Sequence, residues 1–419
     1  MNEIIDMWKA ERPVEGKPAK GFSILDDVRQ VTVYRATRKT GAYSHHCRLI
    51  YHLGRLYGMW SNHPRGEGAP GMRVLYSVSD NAESWSKWQE LFPRPGPVGD
   101  FKALGLAASP GRWLTFNGQL YATCSLFSTI GFSQRGVVRP SDVSPIRDGD
   151  HPAKVREVYA FVAREVNPDG SLGPIFALWD NLPRDLAFKV QEPSERDQEE
   201  VLSLLKDLVS KPDDLPSYAR LEKEHVLSFC RRMPWCSPGE LGYRMYYPNA
   251  ADGHRLSEPT TFPTEDGRHV LLARDPLASH RMYVSFSRDG GLHWDPARAT
   301  NIPDSPSRTT SVVLDDGTVL LIGNQVAPRF EDADRRHYDR DPLTVAVSED
   351  GLEFTSVYAL THGAPEMRVK GVGGRTRGFQ YPGALVRSGT LHVLYSVGKE
   401  DIESLSVPIS DILGSADCP

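Results

Sequence analysis

The chain has 419 residues, 39% of them hydrophobic and 25% charged, with a formal net charge of -5. This length holds one large domain or two to three average ones, and the composition is that of a core-forming protein. The acidic balance, with no strongly basic run, excludes a general nucleic-acid binder, which needs a basic face for phosphates. No apolar run reaches the ~18 residues of a membrane-spanning helix, so no membrane partner is expected. The five cysteines (Cys47, Cys124, Cys230, Cys236, Cys418) are scattered without a CxxC spacing, which fits reduced thiols. The opening stretch MNEIIDMWKAERPVEGKPAKGF lacks the apolar centre of a secretion signal, so the expected location is cytoplasmic.

Along the chain one pattern returns, an alternating apolar strand, a tight turn with Gly, and a second strand. It appears as CRLIYHLGRLYGMWS, RWLTFNGQLYATCS, TTFPTEDGRHVLLAR, TSVVLDDGTVLLIGN and GALVRSGTLHVLYSV, each reading as a β-hairpin. In VLYSVSDNAESW, MYVSFSRDGGLHW and LTVAVSEDGLEF a third strand follows and ends in an acidic or glycine turn with an aromatic. Such recurrence marks a repeat architecture. Asp289 and Asp350 occupy equivalent places 61 residues apart, and Gly54 and Gly118 lie 64 apart. Dividing the 419 residues by this spacing predicts an all-β fold, a single β-propeller over 1–419 with seven blades, six being the alternative. VREVYAFVAREV and GPIFALWD supply strands between the plain hairpins, while residues 195–232 carry apolar positions at helical spacing and predict a helical insertion.

SRDGGLHW (Ser287, Asp289, Gly291, Trp294) matches the sialidase Asp-box, S-x-D-x-G-x-x-W, at every defined position. SEDGLEF (Ser348, Asp350, Gly351, Phe354) is a shortened copy, and SDNAESW (Asp80, Trp85) reads as a degenerate one with Val78 and Ala82 in the Ser and Gly places. The motif is structural: Asp caps its own turn, Gly takes a left-handed conformation and the aromatic tucks between strands. Together with SHHCRLIYHLGRLYGMWSNHPRGEGAPGMRVLYS, IPDSPSRTTSVVLDDGTVLLIGN, RDPLTVAVSEDG and YPGALVRSGTLHVLYSVGKEDIE, these boxes make the chain resemble the sialidase-like propellers that act on uronate-containing polysaccharides. That group includes hydrolases releasing L-rhamnose from α-1,4-linked glucuronate and the propeller ulvan lyases. The resemblance implies a seven-bladed fold and a uronate-containing oligosaccharide or polysaccharide as partner.

In a propeller the inner strands run in one direction, so residues at their starts converge on one mouth of the central channel. Those residues are His45-His46, Glu258-Pro259-Thr260, Ser307-Arg308 and Gln380-Tyr381-Pro382. Arg308 can grip a carboxylate through two parallel N–H···O bonds. Arg274 offers a second positive contact or pairs with Asp275; Asn62 and Asn324, each ending a second strand, can bond sugar hydroxyls, and Lys399 adds charge. Imidazole transfers protons near neutrality, so His46 and His45 are the catalytic candidates, with Glu258 beside them. The resemblance implies a histidine in place of the usual carboxylate pair, and the SHH motif places His46 or His45 there. Because adjacent strand residues point to opposite faces, one ring of the pair, His46, is expected at the mouth.

The leading expectation is thus an exo-acting glycoside hydrolase releasing L-rhamnose from glucuronate, His46 serving as general acid/base. The alternative is an ulvan-lyase-like β-elimination in which Arg308 neutralises the uronate while a His or Tyr takes the C5 proton, bringing in His63 and Tyr381. An exo-sialidase would need an arginine triad, a Tyr-Glu nucleophile pair and an Asp acid; Arg308, Arg274, Tyr381 and Glu258 imitate parts of it, but the usual Arg-Ile-Pro is missing. A non-catalytic glycan-binding propeller is the remaining reading. No cofactor is expected. His45, His46 and His63 are the only cluster suggestive of a metal, and the run Phe330 to Asp341 lacks the spacing of a calcium loop, so no catalytic metal is predicted, a structural ion staying open.

Overall fold

The structure is a computed structural model. It describes residues 4–67, 71–94, 106–116, 118–128, 157–180, 250–276, 279–327 and 339–414, apart from 255, 292, 371 and 373–374, together with short strands between 132 and 137 and between 237 and 244. Five blade-like antiparallel sheets account for nearly all of it. The first holds Tyr43–His52, Arg55–His63, Arg73–Ser79 and Gln89–Phe92; the second Leu106–Phe116, Gln119–Ser128, Glu157–Val166 and Phe176–Asp180; the third Ser257–Pro263, His269–Arg274, Arg281–Ser287 and Arg298–Pro303. The fourth holds Thr310–Val313, Val319–Gly323, Leu343–Ser348 and Ser356–Thr361, with Ser23–Ile24 added in parallel at its edge. In the fifth, Phe379–Arg387, Thr390–Val397 and Asp401–Pro408 are completed by Arg29–Tyr34 from the other end of the chain.

The all-β propeller expected from the repeat is what the chain builds, but the blade count differs. Five blades are described where seven or six were expected. Dividing length by repeat treats every residue as blade, whereas the described residues 4–42 contain no inner strand and instead give outer strands to the fourth and fifth blades. Residues 181–236 lie outside the described residues, and with them the expected helical insertion at 195–232.

The hairpin reading holds in detail. Gly54, Gly118, Gly267, Gly317 and Gly389 all take positive φ, between 70° and 91°, which is why Gly recurs at each tight turn. In the complete Asp-box Asp289 Oδ1 accepts from Ser287 Oγ (2.8 Å) and the His293 amide (2.9 Å), while Trp294 Nε1 donates to Gly291 O (2.9 Å). Asp350 does the same for the amides of Leu352 and Glu353, at 2.7 and 2.9 Å. In the degenerate copy the capping side chain is Asn81 and not Asp80: its Oδ1 accepts from the amides of Glu83 and Ser84, both at 3.0 Å. An amide oxygen serves the turn as well as a carboxylate, so Ser79 is the Ser of this box and Ala82, at φ 63°, stands in the Gly place.

Blades pack face to face through apolar layers. Tyr57, Met59 and Tyr76 meet Leu120, Ala122 and Val162 between the first and second; Phe262, Leu272 and Met282 meet Val319 and Leu321 between the third and fourth; Leu320 and Val345 meet Val393 and Tyr395 between the fourth and fifth. Trp60, Leu75 and Cys47 meet Tyr34, Leu394 and Ile402 where the fifth blade returns to the first. Each Leu, Ile, Val, Phe or Met among them contributes on the order of 1.5–3 kcal/mol by leaving water. The inner strands therefore stand side by side in the order second, first, fifth, fourth, third.

Candidate functional site

At the mouth end of these inner strands one irregularity repeats. In the first, second, third and fifth blades the register slips after His45, Pro110, Ser257 and Gln380, so that two residues oppose one. These are β-bulges, which re-aim a side chain. The bulged residues His46, Glu258 and Tyr381 have φ of 60°, 50° and 55°, an unusual left-handed backbone for residues with side chains. Arg308 stands at the corresponding place before the fourth inner strand, and Gly111 in the second. Four blades thus deliver His46, Glu258, Arg308 and Tyr381 from equivalent positions.

They meet around the phenol of Tyr381. Its hydroxyl donates to Glu258 Oε2 at 2.5 Å, and Arg274 Nε approaches the same oxygen at 2.7 Å. The guanidinium carbons of Arg308, Arg340 and Arg274 lie 5.3, 5.7 and 5.8 Å from the centre of the Tyr381 ring. Both imidazoles stand by the same ring, His45 at 3.9 Å and His46 at 5.4 Å between ring centres. Strand alternation predicted one ring at the mouth; the bulge cancels the alternation, and the two rings lie 4.6 Å apart.

The two histidines differ in state. His45 is fully buried, Nδ1 2.7 Å from Ser396 Oγ, and burial, with Lys399 and His46 adding to it, holds its pKa well below the usual imidazole range. It is neutral at pH 7 and so lacks the acidic proton of an imidazolium. His46 has a side chain 13% exposed, with Nδ1 2.9 Å from Ser61 Oγ and Nε2 3.6 Å from Glu67 Oε1. Glu67 in turn takes a 2.7 Å bond from Lys399 Nζ.

Burial pushes the Tyr381 hydroxyl well above the ordinary phenol range, outweighing Arg274, so it is un-ionised until a base takes its proton. For Arg274 burial works against the charge, but Glu258 and Tyr381 outweigh it and the guanidinium stays charged. Burial lowers Arg308 to about 10, still charged at neutral pH. Burial also raises Asp304, fully enclosed, to about 7. With Asp304 only about half ionised at neutral pH, four cations (Arg274, Arg308, Arg340, Lys399) face two full carboxylates (Glu258, Glu67), a positive centre in an acidic chain.

The other sequence candidates are bonded to neighbouring groups of the protein. Asn62 is fully buried; its Nδ2 lies within 3.2–3.3 Å of Tyr34 Oη, Ser44 Oγ and Tyr43 O, and its Oδ1 accepts from Arg73 Nε at 2.9 Å. Asn324, equally buried, donates to Arg340 O, Pro342 O and Phe379 O. These bonds tie the first blade to Tyr34 of the fifth, and the fourth blade to Phe379 of the fifth. His63 Nδ1 caps the following turn through the amides of Arg65 and Gly66. Arg274 pairs with Glu258, while Asp275 is bonded to His254 Nδ1 at 2.8 Å.

Three residues of the site escaped the sequence reading. Glu67 lies in a Gly-rich loop after the first hairpin, Asp304 follows a strand end, and Arg340, near the end of the run considered as a calcium loop, is 4% exposed. An isolated acid in a glycine loop, GEG, was the one available signal. Among the described residues no three His, Cys, Asp or Glu side chains converge as a metal site.

With this geometry in hand the comparisons are informative. Residues 227–393 match the BNR repeat-like domain. No curated protein sequence matches the chain. Among solved structures, a protein described as a sialidase is similar over 97% of this chain at a TM-score of 0.65 and 20% identity, the chain spanning 35% of that protein. A Hadza microbial sialidase is similar over 91% of this chain and 68% of its own, with TM-score 0.52 and 13% identity. A Dyadobacter fermentans protein of unknown function is similar over 92% of this chain and 100% of its own, with TM-score 0.51 and 12% identity. At such identities the likeness is one of fold: the chain has a sialidase-like β-propeller fold, part of which matches the BNR repeat-like domain.

Proposed function

We propose that the chain is an exo-acting glycosidase for a sugar that carries a carboxylate, using Tyr381 as nucleophile and Glu258 as its base. The observation that carries this is the 2.5 Å bond from the Tyr381 hydroxyl to Glu258, ringed by three guanidinium groups. A carboxylate nucleophile is repelled by an anionic sugar at short range; a phenol is neutral until it attacks. This favours a sialate-type sugar, whose anomeric carbon itself bears the carboxylate. Arg274, the least buried of the three arginines, is the substrate's first cation.

In the first half-reaction Tyr381 Oη bonds to the anomeric carbon as its proton passes to Glu258. The glycosidic C–O bond breaks, and the leaving oxygen takes a proton from the His46 imidazolium, which Ser61 and Glu67 orient. In the second, water attacks the anomeric carbon and gives a proton to His46, while Tyr381 departs and recovers its own from Glu258. The same His46–Glu67 pair supports a second reading, hydrolysis of rhamnosyl-glucuronate with His46 as acid/base.

The test is incubation with sialyllactose, rhamnosyl-glucuronate oligosaccharides and ulvan, with analysis of released sugar and of absorbance near 235 nm. Free sialate supports the proposal and free rhamnose the second reading. A rise near 235 nm signals an eliminase and sinks both.

A further inference from the structure

Arg308 was expected to grip the substrate, yet its contacts are with backbone. NH2 donates to Cys47 O at 2.8 Å, Pro382 O at 3.0 Å and Tyr381 O at 3.4 Å. Cys47 and Pro382 are the second residues of the bulges whose first residues are His46 and Tyr381. One buried nitrogen of the fourth blade thus ties together the bulges of the first and fifth. Bulge carbonyls fall outside the regular ladder and need another donor. A neighbouring hydroxyl, Thr310 Oγ1, donates to the same Pro382 O at 2.6 Å.

Resting on the hydrolase reading above, we infer that Arg308 is a positioning residue, clasping the two bulges that present His46 and Tyr381, and is not the group that grips the substrate carboxylate. A guanidinium binds a carboxylate in two bidentate ways, end-on through its terminal nitrogens or side-on through Nε and NH2, and both need NH2. Here NH2 is occupied by three carbonyls. The clasp also explains how Tyr381 keeps a left-handed backbone at φ 55°, since such conformations persist where the surroundings over-determine them. The charge so fixed lies 5.3 Å from the Tyr381 ring, where it favours the negative charge that develops on the phenol oxygen.

The test compares wild type, Arg308→Met, Arg308→Lys and Thr310→Val by crystallography and by turnover of 4-methylumbelliferyl N-acetylneuraminide, with thermal melting as the check on folding. For Arg308→Met kcat is expected to fall ~30- to 300-fold with KM within about threefold, as for a misplaced reacting group. Its crystal structure should show the Tyr381–Glu258 bond broken; Arg308→Lys should recover part of the loss. A KM raised about tenfold at unchanged kcat makes Arg308 a ligand and overturns the inference. So does an Arg308→Met structure with both bulges and the Tyr381–Glu258 contact intact. If Arg308→Met does not fold, Thr310→Val decides: a loss of about three- to tenfold in kcat at constant KM is expected, and unchanged kcat with an unchanged bulge overturns it. A wild type inactive on every substrate counts against the hydrolase reading alone, and the crystallographic comparison then judges Arg308.

Discussion

Replacing Glu258 by Gln removes one charge and almost no volume, so it separates proton transfer from packing. In the native site Oε2 serves two partners, the Tyr381 hydroxyl at 2.5 Å and Arg274 Nε at 2.7 Å. Loss of a general base lowers turnover by ~10²–10⁴, or about 2.7–5.4 kcal/mol at 1.36 kcal/mol per decade. The effect on folding is smaller. Breaking a buried ion pair costs about 3–5 kcal/mol and an exposed one about 0–1. Side-chain exposures of 17% for Arg274 and 24% for Glu258 place this pair between those limits. A cost of about 1–2 kcal/mol follows, a few degrees of Tm. Turnover of 4-methylumbelliferyl N-acetylneuraminide and a melting curve at the same pH measure both quantities. A kcat within tenfold of wild type, alongside the small Tm shift, would remove Glu258 from proton transfer and with it the Tyr381 mechanism.

His46→Gln should lower kcat/KM by ~10²-fold or more on sialyllactose but by less than about tenfold on the 4-methylumbelliferyl glycoside, whose leaving group needs little protonation; equal losses on both contradict its acid role. Asp304 gives a pH signature. Its folded pKa of about 7 is raised from 3.8, so the folded state binds the proton more tightly and stability falls as pH rises through that window. Asp304→Asn cannot ionise, so its Tm relative to wild type should rise by several degrees between pH 4.5 and 7.5; a difference independent of pH refutes the assignment. Gly383→Ala places a Cβ 2.9 Å from Arg48 Cα and 3.1 Å from Cys47 O, forcing the inner strands of the first and fifth blades apart. A loss of about 1–3 kcal/mol in denaturant unfolding is expected, together with reduced kcat, and a neutral result would show that this contact yields freely.

Much of this protein is legible along one dimension because a propeller is built from local pieces. The hairpins could be read from alternation and a turn glycine, since side-chain period and φ sign are properties of neighbouring residues. The Asp-boxes could be read for the same reason, a cap and its amides lying within four residues of each other. Blade count was not legible, because Ser23–Ile24 and Arg29–Tyr34 join strands more than 300 residues further along the chain, Ser356–Thr361 and Asp401–Pro408. Convergence of His46, Glu258, Arg308 and Tyr381 followed from the repeat, equivalent positions sharing one mouth.

What each of those groups touches was decided in three dimensions. Nothing in SHH reveals that a bulge turns both rings to one side, or that burial leaves His45 neutral while His46 faces Glu67. Nothing in SPSRTT reveals that the Arg308 NH2 is consumed by carbonyls of two other blades. Nothing in the charged run Phe330 to Asp341 reveals that Arg340 lies 5.7 Å from the Tyr381 ring. The sequence by itself determined the propeller and the ring of positions that line its mouth, because these depend on period and turn chemistry. Only the tertiary structure decided which partners and what burial each of these side chains has, because a guanidinium or an imidazole takes its state from the groups and dielectric that distant blades bring to it.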